Sequence, residues 1–161
     1  GLMFRINEAT GMPMLAAPAL RAVQHTDPEG DKQDIRLIGT LYSLDYKNAG
    51  FKVVVSYVDG EGQTVTGDET TLTSSKVYKT ICASDNGVLT NYSADKMLGV
   101  YLYALTIKDV PTNVGDVKIT VTPVATIDNN GVDEVYIGSA YVITYNNGEY
   151  VGTEPYVAPA Q

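Results

Sequence analysis

Along most of this chain, apolar and polar residues alternate with a period of two rather than 3.6. Val117, Ile119 and Val121 are interleaved with Lys118, Thr120 and Thr122, which predicts a strand with one dry face and one wet face. Residues Lys76 to Cys82 alternate less cleanly. Residues Val100 to Ile107 and Tyr136 to Tyr145 are apolar on both faces, so they predict central strands, or strands with a covered outer face. Residues Met3 to Asn7, Leu20 to His25 and Ile35 to Ser43 read as strands as well. Turn chemistry separates these runs. Asp59-Gly60-Glu61-Gly62 divides Phe51 to Val58 from Gln63 to Thr66, and Asp85-Asn86-Gly87 follows the strand at Ile81. Asn129-Asn130-Gly131 and Asn146-Asn147-Gly148 mark two further hairpins, the second returning a short strand over Glu149 to Val151. Asn and Gly suit these places because tight hairpin turns need positive φ. The polar stretch from Thr26 to Gln33 reads as a loop. One helix is predicted, with Ser93 as N-cap and its end at Leu98.

Many short strands with Asn/Gly turns and little helix predict an all-β fold. The expected architecture is an antiparallel β-sandwich, immunoglobulin-like or related, with at most one short helix. A closed barrel is the competing arrangement. The 161 residues form one expected domain, 1–161, in which 153–161, with two prolines, is a tail or linker. A chain of this length buries a core without disulfides or metals.

Nineteen acidic residues against eleven basic ones give a net charge of −8. Such a surface repels phosphate backbones and anionic lipid, which argues against nucleic-acid and membrane partners. No stretch has the apolar length of a membrane-spanning helix, and no secretion signal is visible. The single cysteine, Cys82, lies in an alternating apolar stretch and reads as a small hydrophobe rather than a nucleophile.

Two fragments point toward serine acyl transfer: Ser84-Asp85-Asn86 and Ser93-Ala94-Asp95-Lys96. They match the S-D-N and S-x-x-K elements of penicillin-binding proteins, but in reversed order, and K-T-G is missing. A capping serine and an Asn-Gly turn explain both fragments more simply, so no enzyme is expected. A Ser-His-Asp triad needs a histidine, and the only one, His25, is expected at the surface at a strand end. One His and one Cys do not make an ordinary zinc site. Calcium is the one cofactor in play. Asp128, Asn130 and Asp133 offer oxygen ligands around Gly131, without the EF-hand spacing. The competing reading is an Asn-Gly hairpin with acidic flanks, and it applies equally to Asp59, Glu61, Asp68 and Glu69.

Tyrosine is the more informative residue. There are twelve Tyr and no Trp, and five of the tyrosines follow residue 135. Sugar rings stack on exposed aromatic faces. Tyr101 and Tyr103 share one face of a strand, as do Tyr141 and Tyr145, so these four are the candidate glycan platform. Strand preference alone also explains them.

Several stretches carry a family resemblance. Asp34-Ile35-Arg36-Leu37-Ile38-Gly39-Thr40 precedes Tyr46-Lys47-Asn48-Ala49-Gly50-Phe51. Val77-Tyr78 and Tyr101-Leu102-Tyr103-Ala104-Leu105-Thr106-Ile107-Lys108-Asp109-Val110-Pro111 follow, and then Val121-Thr122-Pro123 and Tyr136-Ile137-Gly138-Ser139-Ala140. This order, from Arg36 to Val151, resembles a β-sandwich module of large secreted and cell-surface proteins of Gram-positive gut bacteria. The resemblance implies a secreted or surface location and carries no catalytic residue. The expected function is a noncatalytic accessory module for spacing, presentation or contact with neighbouring domains or another protein. The alternative is a carbohydrate-binding module that holds a neutral glycan on a tyrosine-lined sheet face.

Overall fold

The computed structural model describes residues 4–6, 13–15, 17–41, 46–74, 81–85, 88–92 and 101–159. Fourteen strands account for most of them. They are β1 (Phe4–Ile6), β2 (Pro13–Leu15), β3 (Ala19–His25), β4 (Lys32–Leu41), β5 (Tyr46–Val58), β6 (Thr64–Thr66) and β7 (Thr70–Ser74). There follow β8 (Ile81–Asp85), β9 (Val88–Tyr92), β10 (Tyr101–Pro111), β11 (Val117–Asn129), β12 (Val132–Ile137), β13 (Tyr141–Asn146) and β14 (Glu149–Pro155). Every pairing is antiparallel. The fold is an all-β antiparallel sandwich. The predicted helix at Ser93 to Leu98, and with it the S-x-x-K serine and lysine, lies outside the described residues.

The small sheet has the order β10-β4-β3. The large sheet runs β14-β13-β11-β5-β6, with β12 also on β11 and β7 also on β5. Inward residues from both sheets form one core: Ile35 and Leu37 from the small sheet, and Phe51, Val53, Val117, Ile119, Val121 and Ile143 from the large one. The alternation of β11 is the one its sequence predicts, with Val117, Ile119 and Val121 buried and Lys118 exposed. On β4 and β10 the outward residues Ile38 and Leu102 are buried too, so the outer face of the small sheet is covered there, as two-sided hydrophobicity requires.

Tyr103 ties the sheets together. Its ring lies over Gly39 of the neighbouring strand, where any Cβ would collide with it. Its hydroxyl crosses the core and donates to the Gly50 carbonyl of β5 at 3.0 Å. Without that acceptor a buried hydroxyl would cost about 1–3 kcal/mol.

Several boundaries differ from the sequence reading. Residues Tyr136 to Tyr145, predicted as one strand, are two: β12 and β13 follow one another along the same edge of β11. The break falls opposite Pro123. Gly138 donates to the Pro123 carbonyl at 2.8 Å, but proline has no N–H to return, so the ladder is interrupted. β14 runs to Pro155, so 153–155 of the predicted tail are strand paired with β13. The loop after β3 ends at Asp31, and β4 starts at Lys32 rather than Ile35.

Candidate functional site

The four candidate tyrosines do not form a platform. Tyr103 and Tyr145 are at most 1% exposed and present no ring face to a ligand. Tyr141 and Tyr145 do share a face, but it is the inward one, because β13 alternates toward the core through Ile143. Burial raises the Tyr145 hydroxyl pKa, and neighbouring Tyr150 raises it further. Burial raises the Tyr103 hydroxyl as well, with a smaller contribution from Tyr46. Tyr46 is itself raised to about 12, first by burial and then by Tyr136. Raised above the ordinary tyrosine range, these phenols stay protonated at neutral pH, and that of Tyr103 donates to the Gly50 carbonyl. Tyr101 opens β10 opposite Leu41, and its side chain lies outside the described residues. Of the three whose side chains are described, Tyr141 alone is half-buried and reaches the surface.

Two of the three calcium candidates, Asp128 and Asp133, already hold hydrogen-bond partners. Asp128 Oδ1 accepts the Gly131 N–H at 2.8 Å and closes the turn. Both carboxylate oxygens of Asp133 accept from Lys47 Nζ, at 2.8 and 2.9 Å. Lys47 is the extra residue of a bulge in β5 opposite Thr126 and Ile127, which is how a lysine two strands away reaches β12. Asn130 stands at the exposed turn tip with φ of 53°. Among the described residues, no three His, Cys, Asp or Glu side chains converge on a point. Asp59 likewise serves its own turn, accepting from the N–H groups of Glu61 and Gln63. Cys82 stands on β8 opposite Asn91, its side chain outside the described residues. Ser84 and Asp85 end that same strand. His25 is exposed at the end of β3, its Nδ1 3.0 Å from the Tyr145 hydroxyl.

A charged hollow of about 470 Å³ lies at one end of the small sheet. Its floor is a bulge where Lys108 and Asp109 face Asp34, with Asp109 at φ of 58°. Lys108 Nζ donates to Asp34 at 3.0 Å, and the Asp109 N–H donates to its other oxygen at 3.1 Å. These two bonds hold the Asp34 carboxyl below the usual carboxylate range, the Lys108 bond most. Among the described residues, Lys108–Asp34 is the one ion pair in this hollow.

The open side of the sandwich differs in kind. β10 lies against β7 and β5, closing that side. On the other side β3 lies over β11, and β13 and β14 extend beyond it. A groove of about 400 Å³ results, lined by Leu20, Arg21, Ala22, Val23, Tyr141, Tyr150 and Thr153. Tyr150 is half exposed. Its hydroxyl is fixed by Thr153 Oγ1 at 2.7 Å, and its ring packs edge-on against Tyr145 at 5.6 Å. A second hollow, between Ala17-Pro18-Ala19 and Ile137-Gly138-Ser139, shares Tyr141 with the first. Among the described residues, Arg21 is the only charged one lining either hollow. It is the extra residue of a bulge in β3 between Leu20 and Ala22.

Sequence reasoning missed Arg21, Leu20, Val23 and Thr153, and counted Tyr150 without assigning it a role. No local signal marks them, because they meet only when the two sheets stack. No family model, curated protein or solved structure matches this chain.

Proposed function

We propose that this domain is a noncatalytic contact module of a secreted or cell-surface bacterial protein, joining its parent to neighbouring domains or to another protein. The observation that carries the reading is the open side of the sandwich. Its edge strands β12 and β14 expose Val135, Ile137, Tyr150 and Val151. Apolar side chains beside unpaired main chain favour association with another chain. The sequence resemblance supports the surface location.

Two measurements test the proposal. A photo-crosslinker replacing Ile137 or Val151 in the parent protein on its producing cell is expected to capture a neighbouring protein or domain. The same group at Asp116, on an exposed turn, is not. Equal capture from all three positions overturns the reading. Affinity electrophoresis against plant, mucin and cell-wall polysaccharides, with and without calcium, is expected to show no retardation. Retardation by one glycan, lost in Tyr150→Ala, replaces contact with carbohydrate binding.

A further inference from the structure

Four successive residues, Leu20 to Val23, line the groove. Arg21 is the bulge residue, but beyond it Ala22 and Val23 alternate between faces and both reach the groove, so the main chain of β3 forms part of this wall. Among the described residues β3 pairs only with β4. The Thr26 N–H donates to the Asp34 carbonyl, which fixes the phase of the ladder: Gln24 and Ala22 also address β4. The N–H and C=O groups of Val23 and His25 therefore point away from β4, and Val23 lines the groove.

The opposite wall is the inner face of β13 and β14. It offers Tyr141 and Tyr150 as apolar surface and the Thr153–Tyr150 hydroxyl pair as a polar point. The small sheet has three strands where the large sheet continues to β14, so the groove is where a fourth strand of the small sheet would lie. Among the described residues, the one charge lining it is Arg21, on a chain whose net charge is −8.

We propose that the open edge of β3 accepts an extended peptide segment of a partner protein as a fourth strand of the small sheet. The segment carries apolar side chains on its inward face and one carboxylate facing Arg21. This inference rests on the contact reading above and names the contact. Main-chain hydrogen bonds to Val23 and His25 supply binding that does not depend on sequence. The tyrosine wall selects apolar residues at alternate positions, and Arg21 selects the carboxylate. A glycan would instead need an exposed aromatic face, and among the described tyrosines Tyr150 and Tyr156 come closest, each about half exposed.

The probe is a synthetic heptapeptide with Val at alternate positions, Thr between them and Asp at the centre. Its counterpart carries Lys at the centre. Both are titrated into the ¹⁵N-labelled domain while amide exchange is followed. The Asp peptide is expected to protect the Val23 and His25 amides and to bind about fivefold more tightly than the Lys peptide, the range of a rim charge pair. In Arg21→Glu, an exposed position whose folding is checked by circular dichroism, the preference is expected to invert. Binding that leaves the Val23 and His25 amides unprotected overturns the β3 assignment, and so does failure of both peptides to bind. The crosslinks from Ile137 and Val151 then decide separately whether the contact reading stands. A polysaccharide that shifts Tyr150 while those amides exchange freely overturns both.

Discussion

The tripeptide Asn-Asn-Gly occurs twice, at 129–131 and at 146–148, and the two copies show what a local signal does and does not decide. Both close two-residue hairpins. Asn130 and Gly131 have φ of 53° and 84°, and Asn147 and Gly148 have 50° and 82°. Positive φ at both central residues is the type I′ geometry, whose twist matches the flanking strands. There the likeness ends. The first turn projects into solvent, and a Cβ on Gly131 would meet nothing within 4 Å. In the second, Gly148 is buried while Asn147 stays exposed. A Cβ on Gly148 would come within 2.7 Å of Pro28 Cγ, with Gln33 and Thr112 close behind. Gln33 Nε2 donates to the Gly148 carbonyl and to the Thr26 carbonyl, each at 3.2 Å. Identical residues with identical backbone thus make a free tip in one place and a joint between the sheets in the other.

The largest effect that sharpens this contrast is expected from Gly148→Ala. It forces a Cβ into left-handed backbone and against Pro28, and should destabilise the domain by about 3 kcal/mol in urea denaturation. Gly131→Ala carries only the backbone penalty, about 1 kcal/mol. Equal losses for the two variants would break the contrast and mean that Pro28 yields freely. Between these lies Gln33→Ala. It strands the Gly148 and Thr26 carbonyls and opens a cavity, for a loss of about 2 kcal/mol. Gln33 Oε1 has no hydrogen-bond partner among the described residues, so Gln33→Met, which removes that orphan while filling the space, should lose less than Gln33→Ala.

The smallest effect is a pH dependence confined to the second turn's surroundings. Asp34 donates its N–H to Thr26 Oγ1 and so steadies the loop that reaches Gly148. Its carboxyl pKa is depressed by Lys108 and by the Asp109 N–H. A depressed acid stabilises the fold above its unfolded pKa, and that contribution disappears as pH falls through the lower folded value. Acidification below the ordinary carboxylate range should therefore speed amide exchange near Thr26 and Gly148 before it does so at Gly131. Because Asp34 is exposed to solvent, salt should shrink the difference. Simultaneous loosening of both turns would assign the acid sensitivity to the whole fold instead.

The tyrosines divide along the same line. That Tyr141 and Tyr145 share a strand face was legible, because alternation is a property of the chain. Which way the face points was not. Ile143 between them fits a core-facing strand, yet tyrosine serves equally well on a sheet surface, so only the packing of His25 from β3 and Tyr150 from β14 against its ring decides that Tyr145 is buried. The calcium candidates divide likewise. Asp128 serving its own turn follows from local Asx chemistry, whereas the pairing of Asp133 with Lys47 joins residues 86 positions apart through a bulge with no local sequence signal.

By itself, the sequence determined the all-β class, the alternation that separates core from surface on β11, and the positions of the Asn-Gly turns. Each depends on φ, ψ preference and side-chain period over a few neighbouring residues, so no distant partner is needed to decide it. Tertiary structure alone decided that β12 and β13 part opposite Pro123, that Gly148 is a joint and Gly131 a tip, and that one side of the sandwich stays open beside Arg21. Those outcomes depend on strand order and on the unequal widths of the two sheets. Both are set by pairing between segments far apart in the chain, where no short pattern of residues records which neighbour will arrive.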